Sequence, residues 1–347
     1  MAGMRRETLE LAGMRRRAIL VAGMHRSGTS AFARAIALCG AALPERLIEP
    51  HPEINAAGFW EPREIVALHD AALAAAGTSW SGLAPIAAGW FASDAARALQ
   101  DRLATLIEAE YGDAPLFVVK DPRLCRLLPL WRPVLARLGI APAAVIPLRH
   151  PQEVAASLAA REGFGEAKSL LLWLIHLLEA ERETRAMPRR LVRYDRLLAA
   201  PVATLSDLGT ALGLAWPLPP ATVRPALMSF LAADLRHHTA ADAAFLARTD
   251  VSPWIRDAWR WACAEAGETP PDAAPPPAPE PAVPDSGLPD RLLAALEAAA
   301  TAFGPAIAAL EAELDRLRRD RDHWVDAAVE RYDLIEQLRA RLEPRDR

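Results

Sequence analysis

Residues 17 to 38 constrain the fold more than any other stretch of the chain. Arg17 is followed by the apolar run Ala18–Ala22, then by a turn bracketed by Gly23 and Gly28, and then by Ala31–Leu38, whose apolar residues recur with helical period. A short buried strand feeding a helix through a glycine loop opens many parallel α/β sheets. The same grammar returns downstream. Leu116–Val119 ends at Lys120, and Ala143–Leu148 ends at Arg149 before the helical stretch Gln152–Arg161. Ser169–Arg185 reads as a long, strongly apolar helix, and Arg190–Tyr194 as a strand before the helical Thr204–Leu212. The expected fold is therefore α/β: a P-loop-like three-layer arrangement with a central parallel sheet flanked by helices. Its functional side chains should gather at the carboxyl ends of the strands.

With 347 residues, 52% of them hydrophobic, the chain can bury a substantial core. Its formal charge of −4 offers no global attraction to nucleic acid or to an anionic membrane, so any phosphate recognition must come from local arginines. Cys39, Cys125 and Cys263 lie far apart in apolar surroundings without zinc or disulfide spacing, and are expected to be reduced and buried. The apolar run after Arg17 is too short for a signal-peptide core, and no stretch reaches membrane-spanning length. These features lead us to expect a cytoplasmic enzyme.

Residues 1–16 form an N-terminal extension in which Ala2–Arg6 is echoed by Ala12–Arg16, with Met14 a plausible alternative start. The catalytic domain is expected over 17–268. Nine prolines between Pro270 and Pro289 then mark a linker, set at 269–290, because such a composition favours extended chain over a packed core. The tail, 291–347, carries Ile307, Leu310, Leu314, Leu317, Trp324, Ala328, Ile335, Leu338 and Leu342 at spacings compatible with heptads, with Arg321 and Arg331 at seam positions. It reads as a helical, coiled-coil-like segment that joins copies of the chain or docks a partner, or as an amphipathic helix folded back on the enzyme.

The loop Gly23-x-x-x-x-Gly28-Thr29-Ser30 has the glycine spacing of a Walker P-loop, but Thr29 stands where the lysine should be. A glycine turn entering a helix offers backbone N–H groups and a favourable dipole to an anion. Without the lysine that reaches a β/γ-phosphate, ATP or GTP hydrolysis is disfavoured. Arg26 supplies a forked donor for a terminal anionic group, and Ser27, Thr29 and Ser30 add hydroxyls. No metal is expected.

The run His25–Ser30 resembles the 5′-phosphosulfate loop of sulfotransferases that use 3′-phosphoadenosine 5′-phosphosulfate (PAPS). Arg149 and Ser157, eight residues apart, match the pair that grips the 3′-phosphate in that family. Val119–Arg123 is similar to a segment of its protein-tyrosine and bacterial carbohydrate members, in which the lysine approaches the transferred group. The resemblance, which covers most of residues 18 to 240, implies PAPS as donor and PAP as product. It also implies a donor site of Arg26, Ser27, Gly28, Thr29, Ser30, Arg149 and Ser157, a catalytic Lys120, and supporting roles for Asp121 and Arg123. Val192–Leu198 matches a late strand-and-helix segment, where Tyr194 either faces the adenine or completes the core. Phe230–His238 resembles a basic loop that closes over the nucleotide.

Sulfuryl transfer requires in-line placement, charge neutralisation on the leaving group, and a base for the attacking hydroxyl. Arg26, Lys120 and the loop amides are expected to serve the first two needs, which makes Arg26 catalytic as well as donor-binding. Gly58–Glu64 resembles a signature of bacterial members, and Glu61 is the favoured base. Beside Phe59 and Trp60, its pKa could be raised by desolvation, although an acid before Pro62 also suits a helix N-terminus. Glu49, His51, Glu53 and His69 are rivals. Trp60, Trp80, Trp90 and Phe91 fall where acceptor contacts are expected, and a carbohydrate hydroxyl is the favoured acceptor. The competing functions are a P-loop kinase or hydrolase and a non-catalytic assembly protein with a degenerate sulfotransferase fold.

Overall fold

The computed structural model of the chain describes residues 15–50, 58–231, 240–268 and 287–299, and scattered positions between 313 and 332. Among the described residues four strands make one sheet: β1 (Arg17–Val21), β2 (Leu116–Lys120), β3 (Ala141–Leu148) and β4 (Arg189–Arg193). All neighbouring pairs are parallel, and the spatial order is β2-β1-β3-β4. Parallel neighbours need crossovers, and helices supply them. Between β1 and β2 run α1 (Thr29–Leu38), α2 (Arg63–Ala75) and α3 (Asp94–Tyr111). Between β2 and β3 lies α4 (Leu124–Arg137), and between β3 and β4 lie α5 (Pro151–Glu162) and α6 (Glu166–Thr184). After β4 come α7 (Tyr194–Ala199), α8 (Pro201–Ala211), α9 (Arg224–Leu231), α10 (Asp242–Leu246) and α11 (Pro253–Glu265). Each expected strand and helix of the α/β core is present, with boundaries moved by a few residues.

The two-residue period of β1 sorts its side chains into two separate cores. Ile19 and Val21 pack with Phe32 and Ile36 of α1 and with Leu205 and Leu208 of α8. Ala18 and Leu20 face the opposite way, into a larger core with α2, α3, α4 and α6 that includes the fully buried Trp131 and Trp173. Both faces of the sheet are thus covered, which explains why the strands read as unbroken apolar runs.

Strand order decides where a ligand can sit. From β1 the chain proceeds to β2 on one side, whereas β3 and β4 lie on the other. The connections leaving β1 and β3 therefore diverge, and the crevice beyond their carboxyl ends is the topological switch point. The glycine loop follows β1, and Arg149 follows β3.

The chain divides into two compact units, Met1–Leu296 and Glu297–Arg347. Within the first, Leu292 and Leu293 are buried, and Asp290 pairs with Arg185 at 2.9 Å. Within the second, the described positions between 313 and 332 are helical, and Arg316 forms ion pairs one turn away with Glu313 and Asp320. Most of the proline linker, and heptad positions such as Leu310, Leu314, Ala328 and Ile335, lie outside the described residues. Among the described residues no helix is long and apolar enough to cross a membrane.

Candidate active site

The loop after β1 is built around two glycines. A Cβ on Gly23 would meet Pro147 Cδ of β3 at 3.0 Å and Thr29 Cγ2 at 3.1 Å, so only glycine lets the chain leave β1 so close to its neighbour. Gly28 has φ +85°, in the left-handed region, and a Cβ there would lie 2.2 Å from the Tyr194 ring. Arg26 also adopts positive φ, 66°, an uncommon conformation for a residue with a side chain that tends to persist where surrounding structure enforces it. Gly28 caps α1, with Ser27 and Thr29 buried on either side. The Ser30 hydroxyl donates to the Phe59 carbonyl at 3.3 Å and ties the loop to the Gly58–Glu61 segment.

The distant residues expected to hold the donor converge on this loop. Arg26 Nε donates to Ser157 Oγ at 2.8 Å, and Arg149 Nη1 donates to the Arg26 carbonyl at 3.0 Å. Arg149 and Ser157 thus meet through Arg26, which sits between them. Arg149 is itself fixed: Nε donates to Glu153 at 2.9 Å, and the guanidinium lies 5.2 Å from the centre of the Tyr194 ring. Tyr194 is buried, so it both completes the core under α1 and α8 and presents its ring to Gly28 and Arg149. Burial, with Arg161 and Arg149 close by, lowers the Arg26 pKa. Such crowding of like charge favours an anion among these arginines.

At the end of β2 is the second half of the site. Lys120 and Glu61 are both buried, and Lys120 Nζ donates to Glu61 Oε1. The partner that a buried lysine requires is therefore Glu61, not the adjacent Asp121. Burial raises the Glu61 pKa, while Lys120 opposes the rise. Asp121 is held by other groups. Its Oδ2 lies 2.7 Å from His69 Nδ1, and its Oδ1 accepts from Arg123 Nη1 at 3.0 Å. Burial disfavours its charge, but Arg123 and His69 overcome this and hold the carboxyl well below the usual carboxylate range. Trp131 Nε1 donates to His69 Nε2 at 2.8 Å. Because an indole nitrogen can only donate, the His69 proton belongs on Nδ1, facing Asp121. Arg123 also grips Asp70 through Nε and Nη2, at 2.6 and 3.1 Å.

The rival bases separate accordingly. His69 is enclosed by Asp121 and Trp131, and exposed Glu49 pairs with Arg63 at 3.1 Å. His51 and Glu53 lie outside the described residues, as do residues 232–238 of the late basic loop Phe230–His238. Of the four aromatic candidates, Trp80 reaches the phosphate loop, its ring 4.2 Å from that of His25. Trp60 lies beneath Arg34, at 4.7 Å, and Trp90 packs edge-on against Phe91 at 5.2 Å. Sequence reasoning missed Glu153, although its position four residues after Arg149 at a helix start was a readable signal. It also gave His25 no role.

No family model matches the chain, and no curated protein matches it significantly. Solved structures do. The sulfotransferase domain from the curacin biosynthetic pathway is 16% identical, with 81% of this chain and 97% of that chain covered and a TM-score of 0.37. The sulfotransferase domain of a Synechococcus olefin synthase is 19% identical, covering 81% of this chain and 94% of its own, at a TM-score of 0.38. A sulfotransferase from Mycobacterium tuberculosis is 17% identical over 74% of this chain and 80% of its own, also at 0.38. These three solved structures are a sulfotransferase and two sulfotransferase domains.

Proposed function

We propose that the protein is a PAPS-dependent sulfotransferase that transfers a sulfuryl group to an acceptor hydroxyl, with a carbohydrate as the acceptor class. The observation that carries this reading is the convergence of Arg26, Arg149, Ser157 and Tyr194 on the Gly28 turn at the switch point of the sheet. These residues are widely separated in the chain, and they offer cationic forks, a hydroxyl and an aromatic face at a helix N-terminus.

In this reading Ser27, Gly28, Thr29 and Ser30 cradle the 5′-phosphosulfate, Arg149 and Ser157 take the 3′-phosphate, and Tyr194 borders the nucleotide. Glu61 and Lys120 divide the chemistry. As the acceptor oxygen forms its bond to sulfur and the bond from sulfur to the phosphate oxygen breaks, Glu61 takes the acceptor proton. A protonated Glu61 no longer holds Lys120 by charge, so the ammonium is released towards the negative charge growing on the leaving oxygen. Asp121, His69 and Arg123 keep the end of β2 in place. Cys39, Cys125 and Cys263 are free and buried, which suits a reducing compartment such as the cytoplasm.

Calorimetric titration with PAP, with AMP and ATP as controls, tests the donor assignment. PAP is expected to bind without added metal and in preference to both controls. Arg149→Ala should weaken it roughly 10- to 100-fold, the worth of a hydrogen bond to a charged group. A preference for ATP would instead favour a kinase.

A further inference from the structure

The two consecutive side chains of the phosphate loop serve different neighbourhoods. Arg26 is drawn towards α5, where Ser157 accepts from its Nε and where Arg161, Arg149 and Glu162 are among the charges that bear on it. His25 belongs to the other side, where Arg123, Asp121 and Lys120 at the end of β2 bear on its ring. Its imidazole rests against Trp80 at 4.2 Å, and Trp80 stacks on Phe164 at 5.8 Å. The Trp80 loop is in turn held by Arg126, which donates to the carbonyls of Ser79 and Gly82, both at 2.9 Å. The residue is half-buried, yet its Nε2 is enclosed and has no hydrogen-bond partner among the described residues. A buried polar atom left unpaired is costly, and none of the described residues supplies a partner for this one.

We propose that His25 is a sulfuryl-binding residue whose Nε2–H donates to a non-bridging oxygen of the terminal anionic group of the donor nucleotide. This rests on the donor assignment above and sharpens it: beside the donors of Arg26 and the loop, His25 adds one directed at the transferring group. Donation, not acceptance, suits the place. The loop is an anion cradle, the neighbouring Lys120 and Arg123 are cationic, and a lone pair turned towards sulfuryl oxygens would repel them. Burial, and next to it Arg123, keep the ring well below the ordinary histidine range. His25 therefore contributes a neutral dipole and adds no third cation beside Lys120 and Arg123.

Comparing PAPS with PAP isolates this contact, because the two ligands differ only in the sulfuryl group. We expect His25→Phe, which keeps an aromatic ring against Trp80, to bind PAP within about twofold of the wild type but to lose roughly 10-fold or more in PAPS affinity. His25→Asn, which restores an N–H, should recover part of that loss. An unchanged PAPS-to-PAP affinity ratio in His25→Phe overturns the assignment. A parallel loss for both ligands, with Asn no better than Phe, also overturns it by making His25 a packing residue of the loop. If the wild type binds neither ligand, the donor assignment fails first and the His25 contact falls with it.

Discussion

Lys120 and Glu61 form an ion pair that is buried on both sides. Neither is stable alone inside the protein, because an unpaired buried charge costs several kcal/mol. In the proposed mechanism each holds the other until a substrate changes the protonation of one. Glu61→Gln keeps a hydrogen-bonding oxygen for Lys120 but cannot take a proton. Its turnover of PAPS with a carbohydrate acceptor should fall about 10²- to 10⁴-fold, while PAP affinity measured by calorimetry stays within about threefold. The pH profile gives a second readout. Burial raises the Glu61 pKa, so wild-type turnover should climb as pH rises through and above the ordinary glutamate range, where the carboxylate becomes available. That limb should be missing in Glu61→Gln. The alternative at this position, a helix N-terminal acid, predicts lowered stability in the variant with its pH profile unchanged.

At the scale of elements, the segment after α2 shows how a loop is made firm without a sheet ladder. Arg126, on α4 and buried, donates to the Ser79, Gly82 and Ala84 carbonyls and pairs with Glu179 of α6 at 3.2 Å. Three backbone groups that a helix or strand would have satisfied are satisfied by one guanidinium. Arg126→Met keeps the volume and removes all of these bonds. It also strands Glu179, whose pKa burial already raises against the pull of Arg126. Urea unfolding should show a loss of about 3–5 kcal/mol, and hydrogen exchange at residues 78–84 should accelerate before exchange in β1 and β3 does. Equal acceleration everywhere would mean that Arg126 supports the whole core and has no special role in the loop. Because Trp80 belongs to this loop, the same variant should also weaken PAPS relative to PAP.

Across the whole molecule, the buried histidines set how the protein responds to acid. His176 is fully buried in α6, and its Nδ1 donates to the Leu172 carbonyl at 2.8 Å. Burial, followed by Arg126, pushes its pKa down to about 3. A histidine near 6.5 in the unfolded chain takes up its proton earlier, so between those values the unfolded state binds more protons than the folded one. Stability must then fall as pH falls from about 6.5 towards 3, by up to about 1.4 kcal/mol per pH unit. His25, also lowered, adds to the same slope. His176→Gln should flatten it, which urea midpoints measured from pH 7 to pH 4 would reveal. Asp121 acts in the same direction but lower, since its carboxyl is depressed and its contribution is lost only below the ordinary aspartate range.

The apolar runs, the glycine spacing and the helical periods are local properties of the chain. From them the four strands, the helices α1, α5, α6 and α8 and an anion loop without the Walker lysine could be read, because each depends on residues a few positions apart; α3 and α4 were not singled out. Partner choice could not be read in that way. Lys120 meets Glu61 across 59 positions and Arg26 meets Ser157 across 131. The sheet order β2-β1-β3-β4 brings these segments to one end of the sheet. Sequence periodicity put Lys120 at the end of a buried strand, where a charge needs an anionic partner, but it could not distinguish Asp121, one residue away, from Glu61. Only the folded chain made that choice, because His69 and Arg123 occupy Asp121 and leave the Glu61 carboxylate facing Lys120.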